Sequence, residues 1–77
     1  MDHRQRENIF PGLEVDIVLK EDQGSAKLTR GIVDNILTSA AFHPRGIKVR
    51  LLGGLVGRVQ KIYGDPEAHP DDRGYQV

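Results

Sequence analysis

Cysteine and tryptophan are absent from this 77-residue sequence, which has only two phenylalanines and two tyrosines as aromatic residues. Without cysteine there is neither a disulfide framework nor a cysteine-based zinc site. No apolar run approaches the roughly 20 residues that a membrane-spanning helix needs, and no apolar segment follows the polar N-terminus as in a secretory signal. We therefore expect one small domain, no membrane association and a cytoplasmic location.

Residue patterns typical of catalysis and metal binding are also missing. Ser25 and Ser39 fall in predicted loops without a Gly-x-Ser-x-Gly frame, and there is no glycine-rich phosphate loop. His3, His43 and His69 share no metal-ligand spacing. His43 could act as a base, but the residue before a proline favours extended or turn backbone, so we favour a turn-forming or hydrogen-bonded role for it. The sequence thus predicts no enzymatic activity, no metal and no cofactor.

Acidic residues are scarce in the middle of the chain, although the formal net charge is zero. Residues 30–63 carry six basic side chains against the single carboxylate of Asp34, and residues 43–63 carry no carboxylate at all. Residues 1–29 and 64–77 hold the compensating acidic excess. Such asymmetry indicates an electrostatic face, whereas a zero total argues against very tight binding of a polyanion.

Alternation of apolar and polar residues predicts four β-strands. Residues 13–20 alternate cleanly, and residues 27–37 form a second strand in which Gly31 indicates a bulge or a sharp coil. Residues 47–51 and 55–63 form the third and fourth strands. The predicted core consists of Leu13, Val15, Ile17, Leu19, Val33, Ile36, Ile47, Val49, Leu51, Val56 and Val59.

Short strands with interior glycines favour an all-β fold, a small SH3-like barrel of four to five antiparallel strands. The alternative is a small open Greek-key sheet of the oligonucleotide-binding type. Residues 9–63 form the predicted barrel domain, after a flexible N-terminal segment over residues 1–8. Residues 64–77 contain two prolines, four acidic residues and no bulky aliphatic residue before the last positions, so we predict a disordered acidic tail.

The hairpin between the third and fourth strands permits a prediction of register. With residues 53–54 as a two-residue Gly-Gly turn, continuous pairing would bring Arg58 opposite Val49 on the apolar face. Burial of an unpaired guanidinium there would be very costly. We therefore expect a bulge at Gly57-Arg58, which returns Arg58 to the outer face beside Arg50.

Several motifs resemble those of the YwbE-like family, short bacterial and archaeal proteins of uncharacterised function. The resemblance covers about residues 9–63 and implies a compact all-β domain, with no activity to carry over. Its motifs are Pro11-Gly12-Leu13-x-Val15-x-Ile17-Val18-x-Lys20-x-Asp22-Gln23, Lys27-Leu28-Thr29-Arg30-Gly31-x-Val33-x-x-Ile36-Leu37-Thr38, His43-Pro44-x-Gly46-Ile47-Lys48-Val49-Arg50-Leu51 and Val56-Gly57-Arg58-Val59.

A looser resemblance links Gly12-x-x-Val15-x-Ile17-Val18 and Gly31-x-Val33 to the KOW-type SH3-like barrels of ribosomal and transcription-elongation proteins. Such barrels commonly bind RNA or protein partners. A glycine with spaced β-branched residues is also what any tight barrel needs, so this resemblance bears on fold more than on function.

The carboxylate-free hairpin suggests a surface for phosphates. We predict a monomeric module that binds RNA or single-stranded DNA through Arg45, Lys48, Arg50 and Arg58, with Phe42 stacking on a base. An ordinary solvated strand face would contain the same basic residues. The alternative function is a protein-interaction module within a larger protein or ribonucleoprotein assembly, which would show much weaker salt dependence.

Overall fold

The computed structural model of the protein describes residues 2–25 and 27–64. Four antiparallel strands form a closed barrel in which each pairs with the next along the chain and the last pairs with the first. The strands are β1 (Glu14–Leu19), β2 (Thr29–Ile36), β3 (Lys48–Leu51) and β4 (Val56–Gly64), and two short 3-10 helices cover Arg6–Asn8 and Lys20–Asp22. The all-β class and the closed small barrel are thereby confirmed, and the open-sheet alternative is wrong.

The barrel interior is filled by aliphatic side chains from all four strands and the segments before them. The buried apolar residues are Ile9, Leu13, Val15, Ile17, Val33, Ile47, Val49, Leu51 and Val59, with Leu19, Ile36 and Ile62 packed against them at partial exposure. Ile9 was not predicted, because it follows a polar segment and belongs to no alternating run. The predicted core position of Val56 is wrong, since Val56 pairs with Arg50 on the outer face and is half-buried.

The register of the β3–β4 hairpin corrects a second expectation. Pairing is continuous, with Lys48 opposite Arg58, Val49 opposite Gly57 and Arg50 opposite Val56. The Leu51 N–H donates to the Leu55 carbonyl oxygen at 2.8 Å, so the turn spans residues 52–54, one residue more than predicted. That extra residue alone brings Arg58 to the outer face. The predicted bulge at Gly57-Arg58 is therefore absent from this hairpin.

Register shifts occur at other places in the barrel. Against β1, the partner changes from Lys61 at Asp16 to Val59 at Ile17, so Gln60 is an extra residue in β4. This bulge explains why the apolar positions of β4 do not keep one phase.

In β2 the register shift lies between Val33 and Asn35, not at Gly31, where a bulge or a sharp coil was predicted. Gly31 pairs regularly with Val15. It allows close packing, because a Cβ there would lie 2.6 Å from the Leu51 Cδ1 atom and the Leu51 side chain would have to shift.

The N-terminal residues add contacts that the sequence analysis did not anticipate. Arg6 donates its backbone N–H to the Ala41 carbonyl oxygen at 2.8 Å, and His43 donates to Arg4 at 2.9 Å. Gln5 forms an isolated bridge with Phe42. Residues 2–8 thus line the long connection between β2 and β3, and the flexibility assigned to this segment stays a prediction.

The predicted tail, apart from Gly64 at the end of β4, lies outside the described residues. Across the portion that the structure does describe, neither helix has the length and apolar character needed to traverse a bilayer.

Candidate nucleic-acid interface

Two neighbouring clefts open on the outer surface of the barrel and share Arg58. The larger cleft, of about 500 Å³, is lined by Val18, Gln23, Ser25, Leu28, Arg45, Arg58 and Gln60. The smaller cleft, of about 350 Å³, is lined by Val18, Lys20, Gln23, Lys48, Val56, Gly57 and Arg58. Among the described lining residues there are four cationic side chains and no carboxylate. We call Lys20, Arg45, Lys48 and Arg58 the cleft cations.

The cleft cations come from separate parts of the chain. Lys48 and Arg58 stand directly opposite each other on the outer face of β3 and β4. Lys20 begins the 3-10 helix that follows β1, and Arg45 lies in the turn before β3. Because Val18 of β1 pairs with Arg58, the end of β1 brings Lys20 to the same side of the barrel. The fold therefore adds Lys20, which is distant in the sequence, to the three cleft cations within residues 43–63.

Two side chains of β4 hydrogen-bond to the backbone of the turn that carries Arg45. Arg58 Nη1 donates to the Gly46 carbonyl oxygen at 3.1 Å, and Gln60 Nε2 donates to the Arg45 carbonyl oxygen at 2.9 Å. The bulge in β4 makes Gln60 available for this contact. A guanidinium has five N–H donors, so Arg58 keeps most of its donors for a ligand.

Gly46 itself has no acceptable replacement in this turn. Its φ is +102°, a region that side-chain-bearing residues rarely adopt. A Cβ at this position would collide with the Val59 backbone oxygen. The turn is thus held closely against β4, and the position of Arg45 at the cleft follows from that contact.

His43 begins this turn and acts within it as an acceptor. The Arg45 backbone N–H donates to His43 Nδ1 at 3.1 Å, and Gly46 donates its N–H to the His43 carbonyl oxygen at 3.0 Å. Desolvation lowers the pKa of His43, and the positive charges of Arg58 and Arg45 lower it further. A neutral imidazole suits this position, because protonation would remove the acceptor and add a positive charge close to Arg45 and Arg58.

Two of the residues predicted for the site lie elsewhere. Arg50 Nη2 lies 3.2 Å from Asp34 Oδ2, so this cation is paired across the neighbouring strand. Phe42 is exposed, but it pairs with Gln5 and lies under the Arg4 guanidinium, whose central carbon is 5.6 Å from the ring centroid. Neither residue lines the two clefts.

Arg45, Lys48 and Arg58 are brought together as the sequence analysis expected, and Lys20 is the residue that it missed. Lys20 continues the outward positions of the first strand, after Val18. In this barrel the first and last strands pair antiparallel, and that pairing places Lys20 next to the hairpin. The alternation of residues 13–20 already indicated that Lys20 points outward, but that alternation was used only to predict the core.

A second polar cluster lies on the outer face where β1 meets β2 and β4. Asp16, only 8% exposed, accepts a hydrogen bond from the Tyr63 hydroxyl at 2.5 Å and lies 3.6 Å from Arg30 Nε. The Arg30 guanidinium carbon is 3.8 Å from the Tyr63 ring centroid, and Lys61 Nζ is 5.2 Å from it. These groups satisfy one another, which favours a structural role.

Ion pairs within residues 2–25 and 27–64 join Arg4 to Asp2, Arg30 to Asp16 and Arg50 to Asp34. None of the cleft cations takes part in them. In the same part of the chain, His, Asp and Glu residues form no cluster of three or more that would hold a metal ion.

Comparison with known proteins places the sequence in a family. Residues 2–62 match the family model described as "Uncharacterized conserved protein (DUF2196)". The chain belongs to this family. It is also 58% identical over 62 residues to the "Uncharacterized protein YwbE" of Bacillus subtilis (strain 168), a match that covers 80% of this chain and 95% of that relative. The predicted membership in a YwbE-like family is confirmed, and no solved structure matches the chain.

Proposed function

We propose that this barrel binds single-stranded nucleic acid, RNA above all, through the two clefts around Arg58 and without catalysis. The observation that carries the proposal is the concentration of four cations in adjacent concave sites whose described lining contains no carboxylate. Arginine forks and lysine ammonium groups are the side chains that bind phosphate oxygens best.

The shape of the site favours a single strand over a duplex. Duplex recognition needs a convex element that enters a groove, or a long positive surface that follows two backbones. Here the cations flank two small clefts of about 500 and 350 Å³, each the size of a pocket for a small ligand. A flexible single strand has phosphates and unstacked bases that fit such clefts.

The number of cations sets the expected salt dependence. If all four contact phosphates, the logarithm of the association constant should fall with a slope of about −3 against the logarithm of the salt concentration for a single strand. Raising the salt from about 50 to about 200 mM would then weaken binding about 50-fold. Micromolar or weaker affinity at physiological salt is typical of binding that depends mainly on phosphate contacts.

The test is a titration of the ¹⁵N-labelled protein with a short oligouridylate and the matched duplex at these two salt concentrations. Shifts should centre on the residues of the two clefts and should disappear at the higher salt. Lys48→Gln and Arg58→Gln should weaken binding, by about threefold and tenfold respectively. Arg50→Gln is the matched control, because it removes the same charge two residues along β3 and should change affinity less than about twofold.

Equal losses for Lys48→Gln and Arg50→Gln would show a diffuse electrostatic effect and would overturn the assignment to the clefts. An absence of shifts at low salt would overturn the function itself.

A protein-interaction module is the second candidate function, and one observation favours it. Leu52 and Leu55, at the turn between β3 and β4, are 63% and 49% exposed. Adjacent exposed leucines on a small monomer are typical of contact surfaces. This function would give a complex with weak salt dependence that Leu52→Ser disrupts and Lys48→Gln leaves intact.

A further inference from the structure

The larger cleft differs in chemistry from the smaller one. The smaller cleft has three cations, Lys20, Lys48 and Arg58, and its other lining residues are Val18, Gln23, Val56 and Gly57. The larger cleft shares Val18, Gln23 and Arg58 with it, but has two cations instead of three and adds the Leu28 side chain and the Gln60 amide. A site for phosphate alone has no need of the further apolar surface that Leu28 adds. Leu28 is 44% exposed, so much of its side chain is available for contact.

We propose that the larger cleft is a nucleotide pocket, in which a nucleobase packs against Val18 and Leu28 while its phosphate contacts Arg45 and Arg58. This inference rests on the proposed function and adds the group that the cleft recognises. Ligand sites of this size typically combine an apolar wall with a few well-placed polar groups. The volume of about 500 Å³ is within the range of such sites.

Gln60 supplies the polar edge of this pocket. Its Nε2 atom donates to the Arg45 carbonyl oxygen at 2.9 Å and to the Val59 carbonyl oxygen at 3.2 Å. Both amide hydrogens are therefore committed, and Oε1 is the atom that Gln60 offers to a ligand. A base N–H is the matching donor. Because all four bases carry such a donor on their Watson–Crick edge, the pocket should accept each of them.

Arg58 belongs to both clefts and determines how a strand would cross them. A phosphate at Arg58 lies between the nucleotide pocket and the cleft that contains Lys20 and Lys48. The next phosphate along the strand would then lie at these lysines. One base would be bound in the pocket, and its neighbour would contribute mainly through its charge.

The experiment compares uridine monophosphate, ribose 5-phosphate and inorganic phosphate as probes, each added to the ¹⁵N-labelled protein at low salt. All three should shift Arg58 and Arg45, but only the nucleotide should shift Leu28 and Gln60. Leu28→Ser should weaken nucleotide binding about fivefold, the size expected for part of one leucine contact, and leave phosphate binding unchanged. Leu52→Ser is the matched control, because it removes a leucine that is 63% exposed and outside both clefts.

The outcomes separate this inference from the function on which it rests. If oligouridylate binds at the clefts but the nucleotide binds no better than ribose 5-phosphate, the pocket is refuted and the function stands. The pocket is also refuted if Leu28→Ser and Leu52→Ser have equal effects. If the nucleotide binds and responds to Leu28→Ser while oligouridylate does not bind, the pocket stands and the proposed function fails.

Discussion

Two regions on the outside of the barrel carry the same kinds of basic residue and use them differently. At the junction of β1 with β2 and β4, Arg30 lies over the Tyr63 ring and beside the nearly buried carboxylate of Asp16. Around Arg58, the cleft cations share a surface without a carboxylate among its described lining residues. The first region satisfies its charges internally, and the second has no acidic partner for its cations among the described residues.

The difference comes from strand register rather than from composition. Arg30 lies opposite Asp16, whereas Arg58 lies opposite Val18 on β1 and opposite Lys48 on β3. Two like charges directly opposite on a sheet are destabilising. Stability alone would favour a carboxylate at one of the two positions, so the Lys48–Arg58 pair supports the proposed binding of an anion.

The largest expected effect is a loss of stability when the turn that holds Arg45 at the larger cleft is changed. Gly46→Ala should destabilise the protein by about 3 kcal/mol, because it combines positive-φ strain with a backbone collision. Gly54→Ala is the matched control: φ is +99° there, but no atom lies within 4 Å of the added Cβ. It should cost only about 1 kcal/mol in urea-induced unfolding. Equal losses would show that the turn is not held closely against β4.

The next largest loss of stability is expected in the cluster of Asp16, Arg30 and Tyr63. Asp16→Ala leaves the Tyr63 hydroxyl and Arg30 without their carboxylate, and it should lower the free energy of unfolding by about 2 kcal/mol. Asp34→Ala removes an exposed partner of Arg50 and should cost less than about 1 kcal/mol. Thermal unfolding of both variants checks the ranking. A larger loss for Asp34→Ala would reverse the assignment of structural roles.

Much of the fold was predictable because a half-buried strand imposes a period of two. The alternation in β1 and in residues 47–51 placed these strands to within a residue or two. The hairpin register was not predictable, because two glycines fit both a two-residue turn and a longer one. The bulge at Gln60 is a tertiary feature: it depends on the pairing of β4 with β1, which no local pattern specifies.

The candidate site was predicted in part for a similar reason. Charge counting identified Arg45, Lys48 and Arg58, but it treated Arg50 as equivalent to them. Asp34, the partner that neutralises Arg50, is 16 residues away in the chain. Only the pairing of β2 with β3 brings the two together. Lys20 was missed because its proximity to Arg58 depends on closure of the barrel.

A smaller effect, on binding affinity, is expected when Asp34 can no longer pair with Arg50. Asp34→Asn keeps the shape of the side chain but removes the charge 3.2 Å from the Arg50 guanidinium. Affinity for oligouridylate at low salt should rise about twofold, through long-range attraction alone. A tenfold rise would mean that Arg50 had joined the binding site, and the division between the two regions would then be wrong.

The smallest effect concerns the protonation of His43, which reports on the charge in the clefts. Its pKa lies below the ordinary value of 6.5 because of desolvation and the positive charges of Arg58 and Arg45. As the pH falls, the unfolded chain therefore binds a proton at His43 before the folded protein does. The contribution of His43 to folding stability is complete above pH 6.5 and is lost as the pH falls through the folded-state pKa. Imidazole carbon shifts measured against pH give the folded pKa directly.

Bound phosphate should raise the pKa of His43, because an anion at Arg58 and Arg45 offsets the charges that disfavour the imidazolium. By linkage, oligouridylate should then bind more tightly as the pH falls through the range in which His43 titrates. In the protein without ligand, Arg58→Gln should raise the pKa of His43, because it removes one of those charges. A His43 pKa that is the same with and without saturating oligouridylate would place the bound phosphates away from this turn, and the clefts would no longer explain the binding.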